Sequence, residues 1–153
     1  MTRDEFIEAL ISAPDPEARS FLLKGNLELV QTSTVYALKE RADRLERDDP
    51  RQALNIGRIA EEVAESLAED EARAVALWIQ ANAQDILADL ESAEHSYDRS
   101  AQLFQAAGKS LEASHTSIGR IETLMKLGRI DQAQSLAETA RQVFVEFEDL
   151  TSQ

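Results

Sequence analysis

Two histidines, a run of glutamates and a single tryptophan have the widest chemical range in this sequence. His95 and His115 stand 20 residues apart. Neither belongs to an H-E-x-x-H or comparable pairing that would aim two imidazoles at one metal. Glu61, Glu62 and Glu65 form a carboxylate run whose ordinary role on a helix is to solvate an outer face. Serines and threonines are plentiful, yet none stands in a nucleophile-elbow setting. The chain has no cysteine, so it offers neither a thiol nucleophile nor a disulfide scaffold. No glycine-rich loop follows a strand pattern. These residues imply no enzyme, no metal and no cofactor.

The charge balance narrows the partners. Sixteen Lys and Arg stand against 29 Asp and Glu, a formal net charge of −13. Nucleic-acid binding needs a basic surface that releases counterions from phosphates, and none can be assembled here. The same sign disfavours anionic membrane surfaces and suits an apolar or basic protein segment. No apolar stretch approaches the ~20 residues of a membrane span. Met1-Thr2-Arg3-Asp4-Glu5 lacks the layout of a secretion signal, so a cytoplasmic location is expected.

The elements that must position these side chains are helices. Ala, Leu, Glu, Arg and Gln dominate, and the five Gly and three Pro are few; such a composition favours helix. A shift of 40 residues brings the small side chains into register. Ala53, Ala93 and Ala133 align, followed by Gly57, Tyr97 and Ala137, then Ala60, Ser100 and Ala140, then Val63, Leu103 and Val143. Spacing of i, i+4 and i+7 marks one face of a helix. Small residues there let a second helix approach closely, three times over.

Each unit divides in two. The first has a helix from Thr32 or Ser33 to Arg47, then Asp49-Pro50 and a helix to Ala68. The second has a helix capped by Asp70 and running to Leu87, a turn at Ala88-Asp89, and a helix from Glu91 to Ala107, stopped by Gly108. The third has Ser110 to Leu127, with Gly128 as the C′ residue, then Asp131 to Phe147.

Two pieces, Gln80–Phe104 and Leu124–Ala140, resemble tetratricopeptide repeats. Ala81, Asn82, Ala88, Asp89, Leu90, Ala93, Tyr97 and Ser100 fit the family pattern in the second unit. Ile121, Gly128, Ile130, Ala133, Ala137 and Ala140 fit it in the third. The first unit departs, with Arg41 at the small-residue place and Asp48 where Gly is usual. The period also departs, 40 residues against the usual 34. The resemblance covers about Val35 to Asp149 and implies an all-α, right-handed α-solenoid of about three helical hairpins with an N-terminal helical cap. The boundaries that follow are 1–31 for the cap, 32–69, 70–108 and 109–150 for the repeats, and 151–153 for a tail. The segments Glu5–Val30 and Ala37–Leu54 are similar to the N-terminal repeat region of bacterial CHAT-domain (caspase-like) signalling proteins. The His–Cys dyad of that family is absent.

What the repeat resemblance implies is protein binding on a concave face lined by the first helices. The family's groove positions fall at Val35, Leu38, Ala42 and Leu45, at Val75, Trp78, Asn82 and Asp85, and at His115, Ile118, Glu122 and Met125. Trp78 either anchors a partner or packs into the core. Asn82 either bonds a peptide backbone or is solvated. A carboxylate clamp would need basic residues at places held by Leu38, Asp85 and Glu122, with only Lys39 and Lys126 nearby, so a terminal carboxylate is not the expected ligand.

The two ends differ. Asp4 to Ser12 reads as a short helix, and Asp15-Pro16 opens another to Lys24, ended by Gly25; the two form a terminal cap or a dedicated partner-docking element. Val143, Phe144, Phe147 and Leu150 close the chain with an apolar stripe. That stripe packs on the third unit's first helix, meets a second copy in a homo-oligomer, or meets a further domain of a longer parent protein.

Overall fold

A computed structural model describes residues 1–151, and these are all-helical, with no strand. The eight helices are α1 (Arg3–Ser12), α2 (Pro16–Gly25), α3 (Thr32–Leu45), α4 (Pro50–Leu67), α5 (Asp70–Ile86), α6 (Leu90–Ala106), α7 (Ser110–Lys126) and α8 (Ile130–Thr151), with a 3-10 turn at Leu27–Leu29. The starts recur on the sequence period. Helices α4, α6 and α8 open at Pro50, Leu90 and Ile130, and α5 and α7 at Asp70 and Ser110. Only α3, opening at Thr32, is out of step.

Local chemistry sets these boundaries. The Asp49 carboxylate accepts the Gln52 N–H at 3.1 Å, and Pro50 follows where its missing donor costs nothing. Asp15 caps α2 in the same way, accepting from the Ala18 N–H at 2.8 Å. Thr2 and Glu5 form a reciprocal capping box on α1. Asp70, expected as a cap, is instead the first helical residue, and Glu69 precedes it without a side-chain bond to the helix end. The Glu69 carboxylate accepts the Thr32 hydroxyl at 2.6 Å. Four connections turn through a left-handed residue, Ala68 (φ 54°), Ala88 (φ 63°), Gly108 (φ 75°) and Gly128 (φ 78°). Two of these are glycine, which takes that conformation without strain.

Connections this short turn each helix back on the one before it. Each helix from α3 to α8 packs on its neighbours in the chain, and α5 also touches both α3 and α7. The repeating face is the packed one: Ala53, Ala93 and Ala133 are 1%, 0% and 2% exposed. Further along the same face, Gly57, Tyr97, Ala60, Ser100, Val63 and Leu103 are buried, whereas on α8 Ala137 is exposed and Val143 half-buried.

Close approach is needed at two glycines. A Cβ on Gly57 would stand 2.7 Å from Gln80 Cγ and 3.1 Å from Ile79 Cγ2. One on Gly119 would stand 2.6 Å from the Tyr97 ring. Gln80 also ties α5 to α4, donating to the Gly57 carbonyl at 3.1 Å and to Glu61 at 2.7 Å.

The N-terminal helices join the same core. Phe6, Ile7 and Leu10 of α1, with Leu23 and Val30, are buried in one cluster with Val35, Leu38, Ile56 and Ile59. Ion pairs between Glu8 and Arg41 and between Arg19 and Glu62 (2.6 and 2.9 Å) fix α1 and α2 against the first hairpin.

Candidate functional site: an acidic cleft across α3, α5, α6 and α7

The end of α3 and the helices α5, α6 and α7 enclose an open cleft of about 370 Å³, lined by Glu46, Arg47, Asn82, Asp85, Ile86, Tyr97, Gly119 and Glu122. Asn82 and Asp85 share one face of α5 because they are three residues apart. Gly119 leaves room for the Tyr97 ring to reach between α6 and α7. The Tyr97 hydroxyl then donates to Asn82 Oδ1 at 2.6 Å.

The charges are unequal. Asp85 accepts from the Thr123 hydroxyl at 2.8 Å and from Lys126 Nζ at 2.7 Å, so it links α5 to α7. Glu46 and Glu122 have no ion-pair partner within 4.0 Å among the described residues. Burial, and then the nearby Asp43 carboxylate, hold the Glu46 carboxyl above the ordinary carboxylate range. Burial likewise raises the Tyr97 phenol, helped by the negative charges of Asp85, Glu46 and Glu122. The lining carboxylates Glu46, Asp85 and Glu122 outnumber Arg47 and the Lys126 that Asp85 holds, so the cleft is weakly electronegative and, with its amide and hydroxyl, favours a cationic or donor-rich group over an anion.

Of the positions expected at a groove, Asn82, Asp85 and Glu122 come together here. The others go elsewhere. Leu38 is wholly buried, as are Val35 and Val75, and Ala42 is 2% exposed. The expectation for these is therefore corrected: they face the core, because α1 and α4 pack on α3 around Val35, Leu38 and Ala42, and Val75 lies in the same cluster on α5, between α4 and α6. Trp78 packs edge-on against Phe104, with centroids 5.9 Å apart. Lys39 Nζ lies 4.2 Å over its ring, so Trp78 is half-buried against the core under a lysine lid. His115 packs on Phe144 of α8, with centroids 5.0 Å apart. Ile118 and Met125 are exposed at 45% and 56%, and Met125 lines a separate apolar groove.

Sequence reasoning missed Glu46, Arg47, Ile86, Tyr97 and Gly119 as lining residues. For Tyr97 a signal existed, a large side chain at the repeat position that holds Gly57 and Ala137 in the other units. No three His, Asp or Glu side chains converge as a metal site among the described residues, and no described helix is long and apolar enough to cross a membrane. Comparison with protein-family models, curated proteins and solved structures returns no match for the chain.

Proposed function

We propose that this chain is a protein-interaction module of tetratricopeptide-repeat-like build, holding a basic or donor-rich segment of another protein in the cleft across α3, α5, α6 and α7. The observation that carries the reading is the cleft itself. It gathers Asn82, Asp85 and Glu122 with Glu46 and Tyr97 in an open concavity. In this reading the hairpins form a right-handed arc with α3, α5 and α7 inside, supported by the packing of α5 on both α3 and α7. The module would belong to a larger cytoplasmic regulatory protein, of the CHAT-domain kind that the N-terminal segment resembles.

The test uses fluorescein-labelled peptides of alternating Ala and Lys, and matched peptides of alternating Ala and Glu, followed by anisotropy. Saturable, salt-sensitive binding of the Lys peptide alone is expected. The pair Glu46→Lys and Glu122→Lys should weaken it at least roughly tenfold. Equal binding of both peptides, or indifference to the charge reversal, overturns the reading.

A second reading, a homo-oligomerisation domain, is favoured by one observation: Val145, Phe147 and Leu150 of α8 are exposed at 43%, 45% and 73%. Sedimentation over a wide concentration range decides it, since a mass that stays monomeric removes it.

A further inference from the structure

Each second helix of the array receives the first helix of the next unit at a fixed place. In the second unit, Asp85, Glu94 and Tyr97 receive Thr123, Arg120 and Gly119 of α7, and Ala81 and Ala93 are buried in one cluster with Tyr97. Gly119 lies against Tyr97. Arg120 pairs with Glu94 at 2.6 Å and Asp98 at 3.3 Å, and Thr123 bonds Asp85 at 2.8 Å. In the first unit the corresponding guests are Ile79 and Gln80 of α5, against Gly57. Moved on by one 40-residue period, Ala81, Asp85, Ala93, Glu94 and Tyr97 become Ile121, Met125, Ala133, Gln134 and Ala137, and Ile130 stands beside them at the start of α8. Those six residues line an open apolar groove of about 150 Å³. Nothing among the described residues covers it.

We propose that this groove and the outward face of α8 seat an amphipathic helix of the α5 kind, supplied in trans, whether or not the acidic cleft takes a ligand. The repeat register defines the guest. Ala137, small like Gly57 and unlike Tyr97, calls for a β-branched residue such as Ile79 and not a glycine such as Gly119. Met125 stands where the first unit has Leu45 and the second has Asp85, so the guest is apolar where α7 carries Thr123, as α5 is at Ala83. Gln134 stands at the place of Glu94 and Glu138 at that of Asp98, the 3.3 Å partner of Arg120, so a basic residue after the Ile would pair with Glu138 alone. Glu138 is clipped to Arg141 on its own helix at 2.7 Å, with both side chains more than half exposed. A second copy of α8 fits poorly. Asp131, Glu138, Glu146, Glu148 and Asp149 are all exposed there against Arg141 alone, and two such faces would repel.

The probe is a capped, labelled peptide of residues 70–86 carrying Gln80→Arg, titrated into the full chain. Saturable binding is expected, weakened at least about tenfold by Ala137→Arg on the chain. Glu138→Lys should weaken it about as much, and a peptide carrying Gln80→Glu should bind Glu138→Lys better than it binds the native chain. The peptide of residues 110–126, which sets Gly119 opposite Ala137, should bind more weakly than the first. Ala137 and Glu138 are exposed, so unchanged circular dichroism is expected of both variants. No saturable binding up to millimolar peptide overturns the proposal. So does failure of the charge swap, or a concentration-dependent dimer that Phe147→Asp returns to monomer.

Discussion

The Tyr97 ring occupies the space in which a Gly119 side chain would begin, with Cε1 and Cζ 2.6 Å from the position of a Cβ. One repeat earlier the sizes are exchanged, and Gly57 on the second helix faces Ile79 on the next first helix. The same interhelical contact is filled once by each partner. The space is filled in both repeats while the side that supplies the bulk alternates, as close-packed interiors require.

Gly119→Ala should therefore destabilise the chain by roughly 1–3 kcal/mol despite its better helix propensity. Urea unfolding measures the loss. Combining it with Tyr97→Leu, which vacates the ring, should cost less than the sum of the two single changes; strict additivity would show that the two side chains do not share this space.

The turns supply a prediction of opposite sign. Ala88 holds φ 63° at the place where the next unit has Gly128, and Ala68 holds φ 54° where Gly108 follows. An L-residue with a Cβ pays on the order of 1 kcal/mol in that region. Ala88→Gly and Ala68→Gly should each raise the midpoint of thermal unfolding, with part of the gain cancelled by the more flexible unfolded chain. A lowered midpoint would contradict the strained turn.

Both tyrosines resist ionisation. Burial raises the Tyr36 phenol, helped by its 2.9 Å bond to Glu71, and burial with nearby carboxylates raises Tyr97. A group that holds its proton more tightly when folded contributes stability in full below its unfolded value, about 10 for a phenol. That contribution is lost as pH climbs from there toward the folded value. Tyrosinate absorbance should appear later in the native chain than in urea, and unfolding should become easier above that pH. Coincident titration curves would contradict the burial argument.

Trp78 serves as a structural probe. Trp78→Ala removes the edge contact with Phe104 and should cost roughly 2–4 kcal/mol, toward the low side for an aromatic because the ring is only half-buried. Lys39→Ala should shift the tryptophan emission and cost under about 1 kcal/mol. A Trp78→Ala variant as stable as the native chain would return this residue to the surface.

Periodicity exposed the architecture because packing repeats with the sequence. Ala93 and Ala133 are buried where the 40-residue register put them, and α6 and α8 begin within one residue of their expected starts. The cleft was legible only in part. Asn82, Asp85 and Glu122 follow from the groove positions that the repeat resemblance implies, but Glu46 and Arg47 lie just past the end of α3, where the helix phase that carries those positions no longer applies. Leu38 was misplaced because the register of one helix does not reveal that α1, outside the repeat, lies across it. The dual use of Asp85, paired with Thr123 and Lys126, depends on contacts between units that no local pattern encodes.

Helix α8 has only Ala133 and Ala140 buried, and its main packing among the described residues is on α7. Its opening therefore strips little apolar area, and the rest of the array can persist while it melts. Its amides should exchange with solvent far sooner than those of α5, which is flanked by four helices. Any molecule that clamps α8 would change the exchange rate of that one segment and leave the interior clock of the chain as it was.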